Sequence, residues 1–187
     1  MARHSLARWH RALLLALVPA LMGSTVDAQA QTAAEADVKA AFLFNFARFV
    51  TWPADDLHGG SPLLVCVAGD PAVAQALETL VKDRAIDGHA VNVRRLGTEV
   101  LDGACHVLYV GGLDAVRSLR LAQTLTGGAV LTVSDADHFA ERGGVAQLIH
   151  ENGRMTFALN TDSAQEKRLQ VSAKLLGLAR LVKTGQR

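Results

Sequence analysis

The stretch 38-VKAAFLFNFARFVTWP-53 decides the fold, since it holds four of the chain's six phenylalanines and one of its two tryptophans. Four of its apolar residues recur at the spacing of one helical face: Val38, Phe42, Phe46 and Phe49. Pro53 disfavours helical geometry at Trp52, so the pattern predicts a helix that ends at Trp52. The other faces are also mostly apolar, which indicates cover on most sides. That cover is either the core of a globular domain or, for part of the surface, a partner protein.

The N-terminus has the pattern of an export signal. Arg3, Arg8 and Arg11 precede an apolar segment at residues 12–22 and an A-x-A cleavage site at residues 28–30. The apolar segment is shorter than the roughly 20 residues that cross a bilayer. We therefore expect a cleaved signal peptide over residues 1–30 and an exported protein that is not itself embedded in the membrane.

Composition sets the size of the remaining chain and excludes some partners. The 187-residue chain has a formal net charge of +1, and no block of like charges. This balance argues against binding to nucleic acid or to anionic membrane surfaces. Residues 31–187 suit one domain with a single core.

Apolar runs alternate with helical patterns along the chain. Strands are predicted at residues 63–67, 91–96, 106–110 and 130–133, and helices at residues 72–81, 113–125 and 136–141. Asn152 and Gly153 separate two further alternating segments, residues 145–150 and 155–159, which predicts a hairpin. Ser163 and Glu166 resemble a capping box that opens a last helix, whose apolar stripe runs to Val182. Together these patterns predict an α/β single-domain sandwich with a mixed, largely parallel sheet flanked by helices.

The two cysteines, Cys66 and Cys105, both lie after the predicted cleavage site. An even count in an exported protein favours a disulfide, provided that the two residues are neighbours in space. The alternative is a pair of buried free thiols. A redox-catalytic role is disfavoured because the sequence contains no CxxC motif.

No motif in the sequence indicates catalysis, a cofactor or a metal. The sequence lacks HExxH, GxSxG, the Walker loop and GxGxxG, so we expect no enzymatic activity. The nearest resemblance to a metal site is the group Asp135, Asp137, His138 and Glu141. Capping of the predicted helix at residues 136–141 explains that group equally well, so no metal site is predicted.

The ends of the predicted parallel strands provide a second candidate site. In open α/β sheets, ligands bind beyond the carboxyl ends of the strands. Four residues follow such ends and are candidate ligand-binding residues: Asp70, Gly111, Ser134 and Asp135. The alternative is that they only form the turns and caps between strands and helices.

Seven segments in order resemble the YfiR family of periplasmic proteins, over nearly the whole chain after residue 30. They are KAAFLFNFARFVTWP (39–53), GDP (69–71), CHVLYVG (105–111), VLTVSD (130–135), FAERGG (139–144), RMTFALN (154–160) and SAKLLGLA (172–179). The resemblance implies a compact α/β sandwich that binds the periplasmic sensory region of a membrane diguanylate cyclase. It further implies that this binding represses cyclic di-GMP synthesis, and with it adhesion and biofilm formation, and that the protein itself catalyses nothing.

The family pattern also bears on the cysteines. Cys66 and Cys105 match a family cysteine pair that forms a stabilising disulfide. A second family disulfide belongs to the hairpin region, and residues 147–160 here contain no cysteine. Redox switching through that second pair is therefore not expected in this chain.

The partner-binding residues that we predict are Trp52, as an exposed aromatic anchor, and Phe49 beside it. Burial of both in the core is the alternative. A rival function is that of a periplasmic small-molecule binding protein with its pocket at the C-terminal ends of the strands, beside Asp70, Gly111 and Ser134. Homodimerisation is left open by the sequence.

Overall fold

The computed structural model describes residues 24–98, 104–124 and 128–185. The burial of side chains is described from residue 30 onward. Residues 1–23 of the predicted signal peptide (residues 1–30) lie outside the described part of the chain, so the signal peptide and the domain boundary after it stay predictions. The helices are α1 (Ser24–Phe49), α2 (Pro71–Val81), α3 (Ala115–Thr124), α4 (Thr161–Glu166) and α5 (Ala173–Leu176). The strands are β1 (Val50–Thr51), β2 (Leu63–Ala68), β3 (Ala85–Ile86), β4 (His89–Leu96), β5 (Val107–Val110), β6 (Leu131–Ser134), β7 (Ala146–Glu151), β8 (Arg154–Asn160), β9 (Gln170–Val171) and β10 (Arg180–Val182).

Within the described residues, the main sheet has eight strands in the order β10-β8-β7-β6-β5-β2-β4-β3. Its neighbours pair in parallel, except for the antiparallel pairs β7–β8 and β3–β4. A separate antiparallel pair joins β1 to β9. The predicted class, a single α/β domain with a mixed and mostly parallel sheet, is confirmed.

The central strands are buried on both faces, which explains their unbroken apolar sequences. On β2 and β5, Val65 and Val107 belong to the core shared with α1 and α2. The next residues along, Cys66 and Leu108, belong to a second core that includes Leu121 of α3. The alternation of side chains along each strand therefore supplies both cores.

Helix α1 supplies much of the larger core, through a face that differs from the predicted one. Leu43, Phe46 and Ala47 are fully buried, and the Phe46 ring lies 5.1 Å from the ring of Phe157 on β8. Of the predicted face only Phe46 is fully buried. Phe42 and Phe49 are half-buried, and Val38 is 42% exposed.

The predicted end of α1 at Trp52 is also wrong. The helix ends at Phe49, because Val50 and Thr51 pair as a strand with Val171 and Gln170. That pairing joins residues far apart in the chain, and local periodicity carries no information about it.

The helix predicted at residues 72–81 and the hairpin predicted at Asn152 and Gly153 are both confirmed. Helix α2 begins after Asp70, whose carboxylate accepts a hydrogen bond from the backbone N–H of Val73, with Pro71 as its first residue. The hairpin β7–β8 turns at Asn152 and Gly153, with φ of 51° and 73°. Both values lie in the left-handed region that a two-residue hairpin turn requires.

The predicted helix at residues 136–141 is wrong, since this segment forms consecutive turns. The Ser134 hydroxyl accepts a hydrogen bond from the N–H of Ala136 at 3.2 Å, which closes a tight turn directly after β6. His138 then has φ of 61°, in the left-handed region that a helix excludes.

The predicted C-terminal helix is wrong as well. Asn160, not Ser163, caps α4, by accepting a hydrogen bond from the Ser163 N–H at 3.0 Å. Arg168, with φ of 57°, turns the chain out of the helical direction two residues after α4 ends. The following residues form β9, α5 and β10, because pairing with β1 and β8 outweighs the helical periodicity of the segment.

The predicted disulfide is present. Cys66 on β2 and Cys105, just before β5, are bonded with their Cα atoms 5.9 Å apart. Both cysteines are buried in the core beneath α3. The bond therefore joins two neighbouring central strands.

Candidate functional site

Trp52, the predicted exposed anchor, lies in the core. It is 7% exposed, and its indole N–H donates a hydrogen bond to the His106 carbonyl at 3.1 Å. The prediction that Trp52 is exposed is therefore wrong, and the alternative of burial holds for this residue. Its hydrogen bond joins the segment after β1 to the start of β5.

Phe49 is half-buried at the C-terminal end of α1. The Lys174 ammonium lies 5.1 Å from its ring centroid, and the Arg48 guanidinium lies 5.7 Å from it. Cations at this distance are attracted by the quadrupole of the ring. Phe49 is thus accessible beside two positive side chains, but it does not project as a free anchor.

The candidate residues at the strand ends lie around the ring of Tyr109. A Cβ on Gly111 would lie 2.9 Å from the Asp70 Cβ and 3.0 Å from the Tyr109 ring. A Cβ on Gly69, whose φ is +79°, would lie 2.2 Å from the Gly111 carbonyl oxygen. These glycines allow the ends of β2 and β5 to approach closely, and that contact leaves little room for a ligand between them.

Ser134 is fully buried. Its hydroxyl donates to the Val110 carbonyl at 2.7 Å, which ties the ends of β5 and β6 together. A cleft of about 270 Å³ borders Asp70 but is otherwise lined by neighbours of α2 and β4, among them Arg95 and Thr98. Gly111, Ser134 and Asp135 do not line this cleft, so the four candidate ligand-binding residues share a rim but not the cleft.

Asp135 belongs to a partly buried charge cluster that the sequence did not reveal. The Lys39 ammonium of α1 binds its carboxylate at 2.6 Å, and the Tyr109 hydroxyl donates to the same oxygen at 3.0 Å. Lys39 also pairs with Glu35 at 2.8 Å, one turn earlier on α1. The cluster fixes α1 to the end of β6.

Burial and pairing act in opposite directions in this cluster. Burial by itself would lower the pKa of Lys39, but its hydrogen bonds to Asp135 and Glu35 outweigh that effect and raise the pKa. Burial and then the negative charges of Asp135 and Asp70 raise the pKa of Tyr109. Lys39 therefore stays charged and Tyr109 neutral, as a structural clamp requires. Lys39 is the only lysine of α1, and its charge in a mostly apolar segment was the available signal in the sequence.

The most exposed large apolar side chains of the described residues lie near the C-terminus. Leu178 is 70% exposed and Leu181, on the edge strand β10, is 55% exposed. Arg180, which lies between them in sequence, pairs with Glu151 at 3.6 Å. We call Leu178, Arg180 and Leu181 the C-terminal edge surface. The apolar periodicity of this segment predicted a helix, so the exposed edge was not predictable from the sequence.

The described residues contain neither a membrane-spanning helix nor a cluster of metal ligands. No helix among them is both long and apolar enough to span a bilayer. No group of three or more histidine, cysteine or acidic side chains in the same residues is arranged to hold a metal ion.

The sequence model of the YfiR/HmsC-like family matches residues 36–180. The match runs from the middle of α1 to the first residue of β10, and so includes the whole main sheet as far as its β10 edge. At the family level, this match supports a periplasmic regulator of a diguanylate cyclase. The chain belongs to the YfiR/HmsC-like family.

Proposed function

We propose that this protein represses a membrane-bound diguanylate cyclase by binding the periplasmic sensory region of that enzyme. Family membership supports the regulatory role. The observation that carries the proposal is the C-terminal edge surface, where Leu178 and Leu181 are exposed to solvent. Apolar side chains clustered on the surface of a soluble domain are typical of protein interfaces. In this proposal the protein catalyses no reaction and needs no cofactor.

Both the backbone and the side chains of β10 suit binding to such a partner. Within the described residues β10 pairs only with β8, so its outer edge offers unpaired backbone N–H and C=O groups. Leu181 is in register with Leu159, which places both side chains on the face of the sheet that α1 covers. An extended segment of the cyclase would pair with the edge and bury Leu181.

Repression requires a difference in affinity. The protein shifts the cyclase toward its inactive state only to the extent that it binds that state more tightly than the active one. Releasing the repressor therefore restores cyclic di-GMP synthesis without any chemical change to the cyclase.

The test is co-purification of the cyclase with the tagged, exported protein from detergent-solubilised membranes of its host. We expect Leu181→Asp to lower recovery at least about tenfold, because the substitution puts a charge into an apolar contact. Val38→Asp is the matched control, since Val38 is also an exposed apolar residue but lies on α1. It should bind like the unmodified protein.

Two results would contradict the proposal at different levels. Undiminished recovery with Leu181→Asp but loss with Phe49→Ala would move the interface to the end of α1 and keep the function. Recovery of no cyclase by the folded, unmodified protein would overturn the repressor function itself. The rival function, small-molecule binding at the strand-end rim, is less well supported, because the cleft beside Asp70 is lined by neither Gly111 nor Ser134.

A further inference from the structure

We propose that a cavity between α3 and the turns after β6 binds a small amphiphilic anion. The cavity, here called the α3 cavity, has a volume of about 950 Å³, and its walls come from α3, residues 138–142 and residues 184–185. This volume is in the range of pockets that hold drug-sized ligands. None of the residues predicted from the sequence as ligand-binding lines it.

The first argument is unpaired positive charge. Arg120 and Arg142 both line the α3 cavity, and neither guanidinium forms a hydrogen bond or ion pair with any residue that the structure describes. Arg95 and Arg168, by comparison, pair with Glu78 and Asp55. Two unpaired guanidiniums at one cavity favour an anion, which both can contact with their planar arrays of N–H donors.

The second argument is an unsatisfied acceptor. Glu141 also lines the cavity, and its Oε2 is buried without a hydrogen-bond partner in the described parts of the chain. Burying a carboxylate oxygen without a hydrogen-bond donor costs about a few kcal/mol, unless a ligand that enters the site supplies the donor. The ligand that fits therefore carries an N–H or O–H donor close to its anionic group.

The third argument is an apolar wall. Val116 and Leu119 lie one turn apart on α3 and face the same cavity, and Val116 is 49% exposed. The wall requires an apolar body next to the charged group. A free inorganic anion would leave this surface in water.

The walls are held in place without a ligand. The Gly185 N–H donates to the Glu141 carbonyl at 2.9 Å. The Asn160 amide donates to the Ala140 carbonyl at 2.8 Å and to the Thr184 hydroxyl at 2.9 Å. These bonds join the turns after β6 to the segment that follows β10. Binding would therefore lose little conformational entropy of the protein.

The probe for the test is 8-anilinonaphthalene-1-sulfonate, which has an apolar aromatic body, a sulfonate and an adjacent N–H donor. We expect saturable binding to the unmodified protein by fluorescence titration, at one site. Arg120→Gln and Arg142→Gln should each raise Kd roughly three- to tenfold, the range for one charge-assisted contact at a partly exposed site. Arg117→Gln is the matched control, because Arg117 lies on the same helix but pairs with Asp114 and does not line the cavity.

Glu141→Gln gives an effect of the opposite sign. It keeps an acceptor for the N–H but removes the negative charge, so Kd should fall. Equal Kd values for the unmodified protein and both cavity variants, or an equal increase with Arg117→Gln, would overturn the proposal. Circular dichroism of each variant shows whether it is folded. Cyclase recovery does not enter this readout, so failure here leaves the repressor function standing.

Discussion

The imidazole of His106 links three parts of the fold through its two nitrogens. Nδ1 accepts a hydrogen bond from the Leu64 N–H at 2.9 Å, and Nε2 lies 3.2 Å from the Asp56 carbonyl oxygen. This arrangement suits the neutral ring with its proton on Nε2, since a second proton would face the Leu64 N–H. Burial lowers the pKa of His106, and the contact with the Asp56 carbonyl opposes that shift without cancelling it.

We predict that acidification destabilises the protein through this residue. Because the pKa of His106 is lower in the folded state, the unfolded chain binds more protons between the folded pKa and the ordinary value of about 6.5. The contribution of His106 to the free energy of unfolding should thus be constant above pH about 6.5. As the pH is lowered below that value, the free energy of unfolding should decrease until the pH reaches the pKa of His106 in the folded state. The measurement is urea unfolding at several pH values between about 7.5 and 5.

His106→Asn tests the assignment, because the asparagine oxygen can still accept from Leu64 while the side chain does not titrate. The variant should be less stable at neutral pH but should lose less stability on acidification. His58→Asn, at an exposed position, is the control and should keep the slope of the unmodified protein. Identical slopes for all three proteins would exclude His106 as the source.

At the scale of elements, the disulfide joins β2 to the start of β5, 39 residues apart in sequence. Closing a loop of this length stabilises a fold by roughly 3 to 4 kcal/mol, through the restricted unfolded chain. We predict that the double variant Cys66→Ala, Cys105→Ala loses stability of this order in denaturant unfolding. A reductant should destabilise the unmodified protein in the same way and leave the double variant unchanged. A loss below about 1 kcal/mol would contradict the prediction.

Elements with a strong local cause were predictable from the sequence. The buried strands, the cap of α2 at Asp70 and the hairpin at Asn152 each depend on residues within a few positions of one another. The segments around β1, β9 and β10 were not predictable, because their strands form by pairing with distant partners. Left-handed φ at His138 and Arg168 also breaks two helical patterns, and neither residue is a glycine that would have indicated the break.

The candidate sites also divide into a part that was predictable from the sequence and a part that was not. The sequence placed Asp70, Gly111 and Asp135 at one rim, because parallel strand ends meet there by topology. It did not reveal that Lys39 reaches Asp135 from α1, or that Arg120 and Arg142 come to one cavity. Those contacts depend on how helices pack on the sheet, and single-sequence periodicity does not give that packing.

At the scale of the whole molecule, a repressor acts in proportion to the concentration of its folded, binding-competent form. Derepression can therefore follow by either of two routes, a loss of folded protein or a loss of contact with the partner. Trp52 and Leu181 represent these routes, since one is buried in the core and the other is exposed on the edge strand.

We predict that the two routes separate in cells. Trp52→Phe removes the bond to the His106 carbonyl, which still accepts from the Leu131 N–H at 2.9 Å, so the loss of stability should be about 1 to 2 kcal/mol. It should raise cyclic di-GMP only as far as it lowers the amount of folded protein. Leu181→Asp should raise cyclic di-GMP at unchanged abundance and unchanged midpoint of unfolding. The measurement is cellular cyclic di-GMP normalised to the periplasmic level of each variant. Derepression by Leu181→Asp that disappears on this normalisation would show that the edge strand matters for folding, and not for the partner.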